Sequence, residues 1–284
     1  MKKQKNSSAW MALPLYIFTI VFVICPLLYV VALSFATPNR GYGVTWKFTL
    51  DNYKNILEPV YLNTFVESLK LALTSTAAIV LIGYPFGYFM AKLPEHRKKK
   101  AHLLLTLPFW VNSLIRLYGW IIILQKKGLL NFVLMKLGLI KKPLAILYSY
   151  PAIVVGMIYV LLPFMIMSVY SSAEKLDGSY VEAARDLGAS RVQAFFTVTL
   201  KLTLPGLLSG VILTFVPSMG LFFIADILGG NKIVLVGSLI QDQMTRGSNW
   251  PFAAALAVVM MVLTTVMIMI YRKVSNAREL EGIG

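Results

Sequence analysis

Six apolar runs, each close to the roughly 20 residues a helix needs to cross a hydrocarbon core, decide what this chain can fold into. They cover residues 10–35, 71–90, 102–125, 144–173, 202–225 and 250–271. Arg116 interrupts the third, and the fourth is longer than one crossing requires, so its ends stay open. Only 14% of the 284 residues are charged and 58% are hydrophobic, with a mean hydropathy of +0.72. A soluble domain carries about a quarter charged residues. Lipid must therefore solvate much of this surface. Pro14, Pro26, Pro85, Pro108, Pro163 and Pro217 fall inside the runs. In lipid the carbonyls they free are re-satisfied by neighbouring helices or waters, which favours a packed bundle over separate anchors. The expectation is an all-α integral membrane protein with six transmembrane helices.

The formal net charge of +15 does not point to nucleic acid, because the bases lie between apolar runs rather than on one element. Bases flanking apolar spans follow the positive-inside rule on an anionic cytoplasmic leaflet. Six crossings put both termini on one side. With both termini cytoplasmic, the inner segments hold more lysine and arginine than the outer ones. One segment opposes the bias: Lys126, Lys127, Lys136, Lys141 and Lys142 cluster in the outer loop after the third run.

Lys2, Lys3 and Lys5 before an apolar run resemble a signal peptide. The run is too long for a signal h-region and lacks an obvious cleavage site, so it reads as a retained anchor. His96 and His102 flank a basic cluster at an expected membrane boundary. Cys25 is the one cysteine, which excludes an internal disulfide and a cysteine metal site. The chain divides into an N-terminal region with the first helix and an outer loop (1–60), a five-helix core (61–274) and a cytoplasmic tail (275–284).

The cytoplasmic loop at 171–203 carries the most specific signal. Ser179 and Glu182 have capping-box spacing, which predicts a short helix starting there. Gly188 suits the left-handed residue that ends it. Ser190 with Gln193 forms a second box, opening a helix toward Leu200 and the fifth run. Two short helices thus meet at a glycine elbow, with Ala183 and Ala184 leaving a flat patch open to a partner. Capping alone would also explain Glu182.

Glu182-Ala183-Ala184, Gly188, Val198 and Leu200 at these spacings resemble the EAA loop of ABC importer permeases. Lys201 departs from that pattern, where proline is usual, and Leu204-Pro205-Gly206 returns to it. Phe48-Thr-Leu-Asp-Asn-Tyr53, the Leu107-Pro-Phe-Trp run through Arg116, Leu161-Leu-Pro-Phe164 and Asn249-Trp-Pro-Phe252 resemble the spermidine/putrescine branch of that family. The resemblance implies the type I (MetI-like) fold, and Glu182, Ala183, Ala184, Gly188 and Leu200 as the contact with an ATPase subunit dimer. It further implies a second homologous permease, an extracytoplasmic polyamine-binding protein, a polyamine substrate, and a place in the bacterial inner membrane.

No P-loop, zinc-protease motif or nucleophile elbow occurs, so no enzyme activity and no cofactor are expected, and membrane lipid joins the protein partners. Ionisable residues within spans mark function by default. Glu67 and Lys70 stand three apart and suit either an ion pair on one helix face or a place on a substrate path. Arg116 suits a carboxylate or backbone partner inside the bundle, and in a rival reading an anionic cargo such as sulfate. Asp226, beside Phe222 and Phe223, suits either contact with a cationic amine or an ordinary boundary position. Trp110 and Tyr118 suit cation–π contact with ammonium groups or interfacial anchoring. A polytopic membrane enzyme and a membrane scaffold are the remaining alternatives.

Overall fold

A computed structural model describes residues 13–39 and 43–281. Lys2, Lys3, Lys5 and Trp10 fall outside the described residues, as does the end of the tail. Among the described residues, six helical segments are long and apolar enough to cross a bilayer: Leu13–Ser34, Pro59–Ala91, Ser113–Lys136, Tyr150–Ala173, Arg191–Gly220 and Trp250–Lys273. The chain forms two compact units, Met1–Asn63 with Leu239–Val266, and Thr64–Ser238 with Met267–Gly284.

In the first unit, α1 (Leu13–Ser34) is apolar on every side and exposed along nearly all its length, as a lipid-facing helix must be. It carries a π turn at Ile20–Ile24, where the Cys25 amide reaches back to the Ile20 carbonyl. Pro26 follows at once; it has no amide and its ring crowds the carbonyl four residues back, which the wider turn relieves. A two-residue antiparallel ladder joins β1 (Thr37–Pro38) to β2 (Val44–Thr45), and α2 (Asp51–Ile56) comes next. Asn52 of α2 is buried and donates to the Ser34 and Ala36 carbonyls at 2.9 and 2.8 Å. It thereby satisfies carbonyls that a helix end leaves orphaned. Leu33 and Ala36 pack with Ala254, and Tyr61 packs on Phe252.

The second unit is built around α7 (Tyr150–Ala173). Ile153, Met157, Leu161 and Met165 of this helix are buried against Leu71 and Ile79 of α3 (Pro59–Ala91) and Leu117 and Leu124 of α5 (Ser113–Leu124). Ile224 and Leu228 of α11 (Phe222–Gly229) close the cluster. The helix α10 (Leu200–Gly220) lies along α7, and Gly206 sets how closely. A Cβ there would collide with the Ser172 side chain and sit 2.7 Å from the Ser168 carbonyl. The Ser168 hydroxyl donates to the Gly206 carbonyl at 2.8 Å, fixing the crossing.

Two expected spans are redrawn. The run at 102–125 is not one helix, because α4 (Glu95–Thr106) gives way to a 3₁₀ turn at Leu107–Trp110 and extended backbone at Val111. Pro108 cannot continue α4, and the Asn112 side chain accepts the Leu114 amide at 2.8 Å to start α5 afresh. The crossing segment is instead Ser113–Lys136, formed by α5 and α6 (Leu129–Lys136). The expected run at 202–225 breaks at Leu221, which leaves Asp226 on the separate helix α11. The remaining helices are α8 (Ser179–Asp186), α9 (Arg191–Ala194), α12 (Val236–Thr245) and α13 (Trp250–Glu281).

Candidate functional site

The elbow lies between α7 and α10. Its first helix is not capped as the Ser179–Glu182 spacing predicts. The Asp177 carboxylate takes the Ser179 amide at 2.9 Å, and Gly178 occupies the cap position without a side-chain bond. A carboxylate beside a helix N-terminus is favoured over a neutral hydroxyl by the positive end of the dipole. These bonds to Ser179 hold the Asp177 carboxyl below the usual carboxylate range. Glu182 makes no side-chain hydrogen bond or ion pair among the described residues, so capping does not account for it.

The helix end follows the expectation. Gly188 has φ +91°, its amide donates to the Arg185 carbonyl at 2.9 Å, and the Ala189 amide reaches the Ala184 carbonyl at 3.0 Å. That pair of bonds is a Schellman closure. A Cβ on Gly188 would meet no atom within 4 Å, so glycine is required by backbone conformation and not by crowding. Ser190 and Gln193 form the second box as expected, with both reciprocal bonds present. Glu182, Ala183 and Gly188 are exposed, Ala184 is half-buried, and Leu187 is 89% exposed. Tyr180 and Val192 are exposed as well. An apolar patch with a defined backbone and no cover among the described residues is suited to docking.

Two connections lead from the elbow into the spans. A π turn at Phe195–Thr199 joins α9 to α10. Its first residue, Phe195, stands edge-on to Tyr84 and Tyr88 of α3, with ring centroids 6.0 and 6.2 Å away. Nearby, the Thr203 hydroxyl donates to the Thr199 carbonyl at 2.7 Å, so Tyr84 must be the donor in its 2.8 Å bond to Thr203. The second connection is at the end of α7. Glu174 accepts from the Tyr170 hydroxyl and, at 3.0 Å, from Lys98 of α4. Those bonds, Tyr170 first, hold the Glu174 carboxyl below its usual range. Leu200, half-buried, packs on the core of the second unit. Lys201 lies within continuous helix, which runs on through Pro205 to Gly220.

The pathway candidates are not gathered in one place by any described contact. Glu67 and Lys70 pair at 2.7 Å on the surface of α3. Arg116 has no carboxylate partner among the described residues; its guanidinium lies 5.3 Å from the Tyr159 ring and 5.9 Å from Phe109, and its Nε is buried without a hydrogen bond. Asp226 is half-buried and accepts from the Ser238 hydroxyl at 3.1 Å. Trp110 and Tyr118 are exposed. None of these six residues lines the cavity of about 610 Å³ between α7 and α10, where Ser168, Ser171, Ser172 and Ser209 present hydroxyls beside Phe164 and Lys175. The serines were legible only as small residues on two apolar helices. Among the described residues no group of three or more His, Cys, Asp or Glu side chains is placed to hold a metal ion.

Residues 83–279 match the family described as binding-protein-dependent transport system inner membrane component. The chain is 43% identical over 257 residues to the spermidine/putrescine transport system permease protein PotB of Escherichia coli (strain K12), covering 90% of this chain and 94% of that protein. Its identity to the protein of the same name from Haemophilus influenzae is 41%, with 90% of each covered. Among solved structures, a bacterial alginate ABC transporter in complex with a pentasaccharide-bound periplasmic protein superimposes with a TM-score of 0.72. That pair shares 16% identity and covers 97% of this chain and 96% of the other.

Proposed function

The chain belongs to the binding-protein-dependent transport system inner membrane component family, and on that premise we propose that it conducts polyamines, spermidine or putrescine, into a bacterial cell. It is a multi-pass inner-membrane permease subunit of an ABC importer with the MetI-like fold, a transport component and not an enzyme. The observation that carries the cargo assignment is the 43% identity extending over nine-tenths of the chain to a permease named for spermidine and putrescine.

In this reading both termini face the cytoplasm and the elbow docks on an ATPase dimer. A second homologous permease completes the path, and an extracytoplasmic binding protein delivers the amine. Glu182, Ala183, Ala184 and Gly188 form the docking surface, and Leu200 anchors the following helix in the core. Closure of the ATPase dimer pushes the elbow, and Phe195 passes the movement to Tyr84 and Tyr88. Asp226 offsets part of the cost of stripping water from an ammonium group at the outer end. Trp110 and Tyr118 offer aromatic faces, and Glu67 and Arg116 charge, at separate points along the path. The cavity between α7 and α10 is lined by four serine hydroxyls and the cation Lys175, with no carboxylate, so it would not retain a polyamine.

The test is to purify the tagged chain from its native membrane, identify the co-purifying subunits, and reconstitute them with the binding protein in liposomes. Spermidine or putrescine should raise ATP hydrolysis above the basal rate. Stimulation by sulfate or another anion, with none by polyamines, overturns the cargo assignment.

A further inference from the structure

The five lysines that oppose the charge bias lie on a small, firmly built element. Asn131, fully buried, donates to the Gln125 and Leu144 carbonyls at 3.2 and 2.9 Å and accepts the Leu144 amide at 2.8 Å. The segment between is thus folded back on itself, with α6 in its middle. Lys126, Lys127, Lys136, Lys141 and Lys142 are all exposed, and none forms an ion pair among the described residues. Leu129, Phe132, Leu137 and Leu139 are exposed in the same segment.

We propose that this segment is a collar at the membrane interface whose lysines bind the headgroups of anionic phospholipids. The apolar side chains decide between lipid and an acidic protein as the partner. A water-facing dock would leave four large apolar side chains in solvent whenever the partner is away. At a bilayer surface the same side chains enter the acyl boundary while lysine stems reach the phosphates. The collar also follows directly on the apolar helix α5, which ends at Leu124 just before Lys126 and Lys127, so it stands where that helix gives way to charge. Its charge matches a phosphodiester layer, and the segment 126–142 contains no acid to oppose it. It adjoins the start of α7, about 36 Å along that helix from the elbow, so this binding is separate from docking of the ATPase. It also accounts for lysines on the expected outer side, which serve as lipid ligands.

The experiment uses the full chain in its native complex, with Cys25→Ser and a bimane fluorophore on Leu139→Cys. The complex is reconstituted in phosphatidylcholine vesicles containing a small fraction of spin-labelled phosphatidylglycerol or, separately, spin-labelled phosphatidylcholine. The phosphatidylglycerol label should quench several-fold more strongly, and added salt should erase the difference. Replacing the five lysines by glutamine should abolish the preference, and replacing them by arginine should keep it. Equal quenching by the two lipids in the parent overturns the proposal. Quenching by aqueous iodide with none by either lipid overturns it too, and marks a surface for an acidic protein. The salt titration on the parent decides the matter even if the glutamine variant fails to insert, and no arm depends on the identity of the cargo.

Discussion

The Ala189 amide donates to the Ala184 carbonyl at 3.0 Å, folding the backbone around Gly188 so that the exposed side chain of Leu187 stands at the tip of the elbow. The closure depends on a left-handed residue, and no neighbouring side chain contributes to it.

Gly188→Val should leave membrane insertion intact and abolish substrate-stimulated ATP hydrolysis, whereas Gly188→Asn should keep most of it. A β-branched residue is strongly disfavoured at positive φ, while asparagine visits that region several-fold more often than most residues. The cost to valine is of order 1–2 kcal/mol or more, enough to open the closure. ATPase assays on reconstituted complexes check the order, and equal rates for the two variants would remove the elbow from coupling.

Asp177 gives the elbow a pH dependence whose sign is fixed. A carboxyl held below its usual value in the fold stabilises that fold above the unfolded pKa, and the contribution is lost as pH falls through the lowered folded value. The protection of the amides of 179–182, their hydrogen exchange taken relative to the intrinsic rate at each pH, should hold from neutral pH through about pH 4, the ordinary aspartate value. Relative to that intrinsic rate, exchange should quicken only in more acid solution. Asp177→Ala should quicken it at neutral pH, and Asp177→Asn less so, since asparagine also caps well.

Phe195→Ala should separate ATP hydrolysis from transport. The docking face remains, but the ring that meets Tyr84 and Tyr88 is gone, so basal hydrolysis continues while uptake falls at least tenfold. Phe195→Tyr keeps the edge-on contact and should keep uptake. Radiolabelled spermidine uptake against ATPase rate, both normalised to inserted protein, reads the split; proportional losses in the two would count against a transmitting role.

Asp226→Asn should slow spermidine uptake with little change in basal hydrolysis, and Asp226→Lys should slow it further by adding repulsion. Ser238→Ala, which removes one hydrogen bond but leaves the carboxylate, should have the smallest effect. Equal uptake by all three and the parent would make Asp226 a residue of local packing.

Orientation is read with impermeant thiol reagents in a Cys25→Ser background. A cysteine at Ser190 should react from the cytoplasm alone and one at Lys142 from outside alone. Reaction of both from one side contradicts the proposed arrangement. Asn131, though in the same outer segment, is unsuitable because its side chain is buried and clamps the segment.

The apolar runs disclosed the number of crossings because a bilayer imposes a length that few other environments impose. They did not disclose where Pro108 and Asn112 divide the third run, since both residues are compatible with a kinked helix as well as a broken one. The glycine of the elbow was legible, because positive φ selects residue type so strongly. The cap before it was misread: the Asp177 carboxylate takes the Ser179 amide, so Ser179 is the first helical residue and not the cap, and sequence spacing does not rank those two starts. Asn52 and Phe195 act through residues far along the chain, Ser34 and Tyr84, and pairings of that kind leave no periodic trace.

The wide turn from Phe195 to Thr199 holds one residue more than an α-helical turn, with the Leu200 amide bonding to the Phe195 carbonyl. It therefore acts as a length buffer between the elbow and the bundle. Deleting one residue within 195–199 converts the wide turn to an ordinary one and leaves the flanking helices in register. The same deletion between Leu200 and Pro205 rotates the rest of α10 by about 100°, carrying Gly206 and Gly210 away from Ser172 and Met165. A single-residue deletion scan scored by membrane insertion should accordingly tolerate loss at the first place and not at the second.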